Sequence, residues 1–284
     1  MIKIVSFVNK NTSGFINFKN SFSRFKGWEL IVIGRSVRWE GWITRMMAYR
    51  DFCKQRPSDE ILVLLDGYDV LCLRDSDGFK ETFLRIDKKY VFGCEDVCAE
   101  YINCRKPKIW QNHYKIYNKF INGGCIIGRA KDLFHLYSWC IDNNYTHDDQ
   151  MALSVFMDHH PKDAYLDLDN VFVFNDTLAK RADITIRQNK LLISDTEPYF
   201  IHFPGLMIYN SLPLQGSTGD IPENYKKVIA HLLKEEAIYD YPINKNIYII
   251  SSILIYTLIF IIIIICIIFI IVFYVKYKNC KKMI

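Results

Sequence analysis

Short apolar runs alternate with longer amphipathic stretches along the first 240 residues. The short runs, rich in β-branched residues, predict strands at 2–8, 29–33, 61–65, 90–94, 165–169, 171–174, 191–194 and 199–203. The amphipathic stretches predict helices at 43–54, 79–86, 130–143 and 225–237, and a further helix that opens at Thr146 and continues to Met157. A polar, turn-prone loop is predicted at 9–14. Strands that alternate with helices in this way predict an α/β sheet.

The run at 61–65 is the most informative of these strands. Five consecutive apolar residues lead into Asp66, and a second carboxylate, Asp69, follows three residues later. An unbroken apolar run of this length predicts a strand buried on both faces. Ligands bind beyond the carboxyl ends of such strands, where Gly67 permits a sharp turn and two carboxylates suit Mg²⁺ or Mn²⁺. The alternative is a strand followed by an ordinary turn.

The pattern changes near the end of the chain, where residues 247–275 carry no charge. A helix over this range would be about 43 Å long, which exceeds a hydrocarbon core of roughly 30 Å. We therefore predict a domain at 1–237, a linker at 238–246, a transmembrane helix at 247–275 and a basic tail at 276–284.

The orientation of this predicted membrane anchor depends on two opposing signals. The first residues lack the long apolar run and the cleavage site of a signal peptide, which favours a tail anchor with the folded domain in the cytosol. Lys276, Lys278, Lys281 and Lys282 favour the opposite, since positive flanks prefer the cytosolic side. We expect the cytosolic orientation for the domain.

Composition and charge limit the classes of function that this chain is expected to have. The net charge of +5 includes the four tail lysines, so the remainder is close to neutral and nucleic-acid binding is not expected. Two of the nine cysteines belong to the predicted membrane segment and tail, and the odd remainder indicates free thiols in a reducing compartment. The abundance of Ile, Lys, Asn and Tyr is associated with AT-rich genomes, including viral ones.

Three further polar features lie at the ends of predicted strands or at the start of a predicted helix. The glycine pair after Asn122 marks a close backbone approach, or a plain turn into a strand. Thr146 and Asp149 fit a capping box, so part of the acidity at 148–149 has a structural explanation; the functional alternative is a carboxylate that faces the cleft. His202 lies at a strand end and is either a third metal ligand or a structural histidine.

The order of these motifs is more specific than any one of them. The motifs lie at 64–70, 93–98, 121–128, 148–150, 166–169 and 201–205. In this order they resemble the glycosyltransferase domain of procollagen lysyl hydroxylases and the related procollagen galactosyltransferases, over roughly 1–210. The resemblance implies a GT-A-like nucleotide-diphospho-sugar transferase sandwich with a mixed, mainly parallel central sheet. It also implies Mn²⁺ (or Mg²⁺) as cofactor and a UDP-sugar, UDP-glucose or UDP-galactose, as donor.

The resemblance also implies a role for individual residues. The metal ligands would be Asp66, Asp69 and His202. The donor contacts would be Tyr68 near the uridine, Asn122 and Gly124 in the loop facing the sugar, Gly205 near the diphosphate, and Arg45 as an approximate phosphate contact. The catalytic acidic cluster at the sugar and acceptor would be Asp148, Asp149 and Gln150.

Two positions depart from the family pattern. A lysine that contacts the diphosphate is replaced by Ile208, and a tryptophan at the donor pocket is replaced by Ala99. The expected function is a membrane-anchored transferase that moves a hexose to a hydroxyl of a protein or glycan, such as hydroxylysine or its linked sugar in a collagen-like protein. The alternatives are a catalytically inactive, membrane-tethered UDP- or sugar-binding module and a metal-dependent phosphoesterase or nuclease.

Overall fold

A computed structural model of the chain describes residues 1–95, 120–177, 183–187, 190–193, 195–204 and 223–234. These residues belong to one compact unit that comprises 1–207 and 221–241. No helix within the described ranges is long and apolar enough to cross a membrane. The predicted segment 247–275 lies outside them, as do Ala99, Gly205 and Ile208.

The described part of the chain alternates between strands and helices, as predicted. Its strands are β1 (Ile2–Phe7), β2 (Trp28–Ile33), β3 (Ile61–Leu65), β4 (Val70–Cys72), β5 (Tyr90–Glu95), β6 (Phe120–Arg129), β7 (Ala164–Leu166), β8 (Val173–Asn175), β9 (Ile184–Arg187), β10 (Lys190–Ile193) and β11 (Phe200–His202). Its helices are α1 (Ser13–Phe22), α2 (Trp42–Lys54), α3 (Phe79–Ile86), α4 (Ala130–Asp142), α5 (Asp149–His159) and α6 (Glu223–Leu233).

The central sheet of the described residues has the strand order β2-β1-β3-β6-β5-β7. β6 runs antiparallel to β3 and β5, whereas the other neighbouring strands are parallel. The mixed, mainly parallel sheet is therefore confirmed. The carboxyl ends of β3 and β5 and the start of β6 meet at one edge, which brings together residues that are distant in sequence.

A smaller sheet, with the order β4-β11-β8, lies beside this edge. β11 is antiparallel to β4 and parallel to β8, and its register sets His202 opposite Val70 on one side and Asn175 on the other. β9 and β10 form a separate antiparallel pair. The small sheet thus positions His202 from a part of the chain far from Asp66.

β3 is buried on both faces, as its unbroken apolar run predicts. Leu62 and Leu64 pack in a cluster with side chains of α2, α4 and α5. Val63 and Leu65 pack in a second cluster with α1, α3 and the small sheet. Because both faces of the strand are covered, Asp66 directly follows a strand of the central core.

Helix α1 is absent from the sequence-based prediction, which placed a loop at 9–14. Thr12 caps the helix, since its hydroxyl accepts a hydrogen bond from the backbone N–H of Phe15 at 3.3 Å. Phe15, Phe18 and Phe22 form its buried face. Their spacing of three and four residues was the available signal.

The cysteines of the described residues are buried and are not in disulfide bonds, in agreement with the prediction of free thiols. Those that the structure describes are Cys53, Cys72, Cys94, Cys125 and Cys140. Burial raises the pKa of the Cys53 thiol and that of the Cys140 thiol to about 12, so both remain protonated near neutral pH. These thiols therefore act as small apolar side chains of the core.

Asp167 belongs to one of the acidic motifs, and its contacts are structural. Its fully buried carboxylate accepts hydrogen bonds from the backbone N–H groups of Val171, Phe172 and Val173, at 2.8, 2.8 and 2.9 Å.

Asp167→Ala should lower the free energy of unfolding by at least about 3 kcal/mol, because three N–H groups lose their acceptor. Urea denaturation measures this loss. The exposed Asp169→Ala is the control, with a change below about 0.5 kcal/mol; equal losses in the two variants would contradict the assignment.

Candidate active site

Asp66, Asp69 and His202 converge at the edge of the central sheet. Asp66 follows β3, and its N–H donates to the carbonyl of Gly124 at 3.0 Å. Asp69 precedes β4, and its carbonyl accepts from the N–H of Phe203 at 2.9 Å, which ties it to the end of β11. One ligand atom from each of the three side chains lies within 4.8 Å of the others. The structure therefore brings together the three residues predicted as metal ligands.

His202 contributes a buried nitrogen to this group. Its side chain is 3% exposed, and Nε2 lies 3.4 Å from Oδ1 of Asp69 and 3.8 Å from Oδ2 of Asp66. Nε2 has no hydrogen-bond partner in the part of the chain that the structure describes. Two carboxylates and an unpartnered imidazole nitrogen fit a divalent cation such as Mn²⁺.

The electrostatics of the group agree with a site that favours positive charge. Burial lowers the pKa of His202, but the carboxylates of Asp69 and Asp66 outweigh burial, and the net shift is upward. Burial also raises the pKa of Asp66, with Asp69 adding to the shift and Arg45 opposing it. A cation among these side chains would relieve the repulsion between the two carboxylates.

Arg45 links this group to helix α5. Its Nη1 donates to Oδ1 of Asp66 at 2.5 Å, and its Nη2 pairs with the carboxylate of Asp149. The guanidinium carbon lies 4.8 Å from the ring centroid of Trp42. Burial lowers the pKa of Arg45, but the nearby Asp66, Tyr49, Tyr137 and Asp69 together outweigh burial and hold the pKa above its usual value. The residue matched to a phosphate contact therefore bridges two carboxylates in this structure.

The start of α5 differs from the predicted capping box. The cap is Asp148, not Thr146, and its carboxylate accepts a hydrogen bond from the N–H of Met151 at 2.8 Å. Asp149 is the first residue of the helix and is buried against Arg45. Of the two acids, Asp148 therefore has the structural role that the sequence suggested, and Asp149 is the one that joins the site.

Glu95 connects two of the remaining candidates, Asn122 and Gln150, although no role was predicted for it. Its buried carboxylate accepts hydrogen bonds from Nδ2 of Asn122 at 3.0 Å and from Nε2 of Gln150 at 2.7 Å. Oε1 of Gln150 accepts in turn from the N–H of Gly123 at 3.2 Å. Glu95 ends β5 at the same edge of the sheet as Asp66. Its position at a strand end was the sequence feature that could have identified it as a site residue.

Asn122 and Gly124 lie within β6 and not in a loop. A Cβ at Gly124 would lie 2.2 Å from Cε1 of His202, so Gly124 makes the close approach that the glycine pair predicted. A Cβ at Gly123 would meet nothing closer than Leu153, at 3.5 Å. Only the second glycine is therefore required by space at the histidine.

Gly67 begins the predicted turn, which spans residues 67–69, but a positive φ is not the reason for glycine there. It is not among the glycines of the described residues with positive φ. A Cβ at this position would lie 2.4 Å from Oγ of Ser6 and 2.4 Å from Cγ2 of Val8. Glycine is required here because β1 approaches the segment between Asp66 and Asp69 closely.

Tyr68, between the two acids, holds the segment that follows β1. Its hydroxyl accepts from the N–H groups of Asn9 and Lys10, both at 3.1 Å, and donates to Oδ1 of Asn9 at 3.0 Å. The predicted packing of Tyr68 near a uridine stays a prediction. The predicted diphosphate contact Gly205 lies outside the described residues.

The chain is similar to one known protein family. The family model described as the PLOD GT domain, a glycosyltransferase domain, matches residues 1–206. The matched range contains every candidate site residue, from Arg45 to Gly205. No curated protein matches the chain.

Proposed function

The chain belongs to the family of PLOD GT domains, the glycosyltransferase domains of procollagen lysyl hydroxylases and galactosyltransferases, and we propose that it is a metal-dependent hexosyltransferase. It takes the hexose from a UDP-sugar, UDP-glucose or UDP-galactose, and transfers it to a hydroxyl group. A divalent cation, Mn²⁺ or Mg²⁺, is held by Asp66, Asp69 and His202.

The observation that carries this proposal is the unpartnered Nε2 of His202, which lies between two carboxylates. A buried ring nitrogen without a hydrogen bond is costly unless something binds it. A cation bound there supplies Lewis acidity to the diphosphate that leaves with UDP. The family match adds that the domain is a glycosyltransferase, whose donor has such a leaving group.

Other residues of the site act on the sugar and the acceptor in this proposal. Arg45 pairs with both Asp149 and Asp66, so Asp149 lies next to the proposed metal ligands. In this position Asp149 acts as the acceptor base or holds sugar hydroxyls. Glu95 fixes the side chains of Asn122 and Gln150 by hydrogen bonds, so their orientations are set before a donor binds.

The acceptor and the membrane anchor complete the proposal. The family suggests hydroxylysine, or a sugar linked to hydroxylysine, in a collagen-like protein. The uncharged segment 247–275 would hold the domain at a membrane, with the domain on the cytosolic side.

Metal removal is the direct test. We expect the full chain to release UDP from one member of a panel of UDP-sugars in the presence of Mn²⁺. EDTA should lower this rate by at least about tenfold, because the leaving group loses its Lewis acid. Asp69→Asn should lack the Mn²⁺-dependent part of the rate, whereas Asp51→Asn, an exposed acid on α2, should keep it.

Two results would contradict the proposal in different ways. A folded protein that binds UDP but releases none from any donor would indicate a membrane-tethered binding module. Phosphate release from a phosphodiester without any sugar nucleotide would indicate a phosphoesterase.

A further inference from the structure

The two ring nitrogens of His202 face different partners. Nδ1 lies 2.7 Å from Oδ1 of Asn175, and Nε2 faces the carboxylates of Asp69 and Asp66. A neutral imidazole carries its proton on one nitrogen only, and the other has the lone pair that binds a metal. The position of the proton therefore decides whether Nε2 is available as a ligand.

The side-chain amide of Asn175 determines that position. Its Nδ2 donates a hydrogen bond to the backbone carbonyl of Cys94 at 2.7 Å. A carbonyl accepts and cannot donate, so the end of the amide that faces Cys94 has to be the NH₂ group. The end that faces His202 is then the oxygen Oδ1, which only accepts, and Nδ1 of the ring carries the hydrogen.

The backbone fixes Asn175 in this place. It ends β8 and lies opposite His202 in the parallel register of β8 and β11. The pairing of β5 with β6 shifts register between Phe92 and Gly93, next to Cys94. A Cβ at Gly93 would lie 2.9 Å from Cγ1 of Val173 and 3.3 Å from Nδ2 of Asn175, so the glycine allows the amide to reach the Cys94 carbonyl.

Burial excludes competing partners. Asn175 is 6% exposed and His202 is 2% exposed, so bulk water has little access to either hydrogen bond. The two hydrogen bonds therefore run in one direction. The His202 ring donates to the Asn175 amide, and the Asn175 amide donates to the Cys94 carbonyl. At the far end of the ring is the lone pair of Nε2, between Asp66 and Asp69.

We propose that Asn175 is the positioning residue of the metal site, which selects the Nδ1–H tautomer of His202 and so presents Nε2 to the cation. The inference rests on the proposed function for the identity of the cation. Histidine ligands commonly donate their second N–H to a polar partner, and loss of that partner typically lowers metal affinity by about tenfold to a hundredfold. Asn175 fulfils this role through an amide that is itself oriented by the main chain.

The tautomer is measured first, in the metal-free full chain labelled with ¹⁵N at histidine. At an alkaline pH where the ring is neutral, ¹H–¹⁵N correlation spectra distinguish a protonated from an unprotonated ring nitrogen. The His202 signals are those missing from His202→Gln. We expect a protonated Nδ1 and an unprotonated Nε2, and the opposite pattern would overturn the proposal whatever the protein does with metal.

Three variants then test the consequence for Mn²⁺ binding, measured by electron paramagnetic resonance of the free ion. Asn175→Leu removes the acceptor and should weaken affinity by about tenfold to a hundredfold, with a mixture of ring tautomers. Asn175→Asp retains an acceptor for Nδ1 but has no N–H for the Cys94 carbonyl, so it should keep the tautomer while losing some stability. Asn143→Leu, at an exposed asparagine after α4, should not differ from the wild type.

The outcomes separate the two proposals. If Asn175→Leu is folded by circular dichroism and keeps both the wild-type tautomer and the wild-type affinity, Asn175 does not position the ring and this inference is wrong. If the wild type binds no Mn²⁺, the proposed function fails, while the spectrum of the metal-free protein still decides the role of Asn175 in fixing the tautomer.

Discussion

Gly124→Ala is expected to abolish Mn²⁺ binding and to lower the rate of UDP release by about a thousandfold or more, since several kcal/mol of leaving-group stabilisation depend on the cation. The added Cβ would lie 2.2 Å from Cε1 and 2.6 Å from Nδ1 of His202. Neither atom can yield in place, because Nδ1 is hydrogen-bonded to Asn175 and the ring is buried. The ring has to leave its position, and the site loses one of its three ligands.

The neighbouring glycine provides a matched control for this prediction. Gly123→Ala adds the same methyl group to the same strand, where the nearest atom, Cδ1 of Leu153, is 3.5 Å away. We expect its Mn²⁺ affinity to remain within about threefold of the wild type, since this is an ordinary contact distance. Titration with Mn²⁺ and UDP release measure both variants. Equal behaviour of the two alanines would show that His202 does not need its present position.

Arg45→Met is expected to lower the free energy of unfolding by about 3–5 kcal/mol, the usual consequence of removing one partner from a buried ion pair. Asp66 and Asp149 would both lose their cationic partner inside the protein. Methionine retains much of the apolar volume, so the loss is assigned mainly to charge and hydrogen bonding. The uncompensated Asp66 should then bind a proton more readily, because Arg45 opposes the upward shift of its pKa.

Guanidinium denaturation measures this loss, and Arg50→Met provides the control on the same helix. Arg50 pairs with Asp51, whose side chain is 53% exposed, and such pairs contribute about 0–1 kcal/mol. Saturating Mn²⁺ should restore part of the stability of Arg45→Met, since a ligand that binds only the folded state stabilises it. A loss as small as that of Arg50→Met would show that Asp66 and Asp149 do not depend on Arg45.

The residues that were predicted correctly can be recognised from their neighbours in the sequence. Five consecutive apolar residues followed by Asp66 predict a doubly covered strand with a polar end, and both are present. The acids at 66 and 69 are close in sequence, so their proximity in space required little inference. The histidine was included because it ends a strand within a recognisable order of motifs.

The residues that were missed depend on partners far away in the chain. Glu95 meets Gln150 across 55 positions, and Asn175 meets His202 across 27. Each is a polar residue at a strand end, which by itself is as typical of an ordinary turn. The cap of α5 was misassigned because the segment holds several residues able to cap, and only the backbone selects Asp148.

The reversed direction of β6 has a consequence for how the protein unfolds. β6 is paired on both sides, with β3 and β5, and the N–H of Asp66 bonds to the carbonyl of Gly124 near the middle of β6. The segments that carry Asp66 and Gly124 cannot separate unless the middle of the sheet opens. Asp66 therefore belongs to the same cooperative unit as the core, and the amide hydrogens around it should exchange with solvent only when the amide hydrogens of that core do.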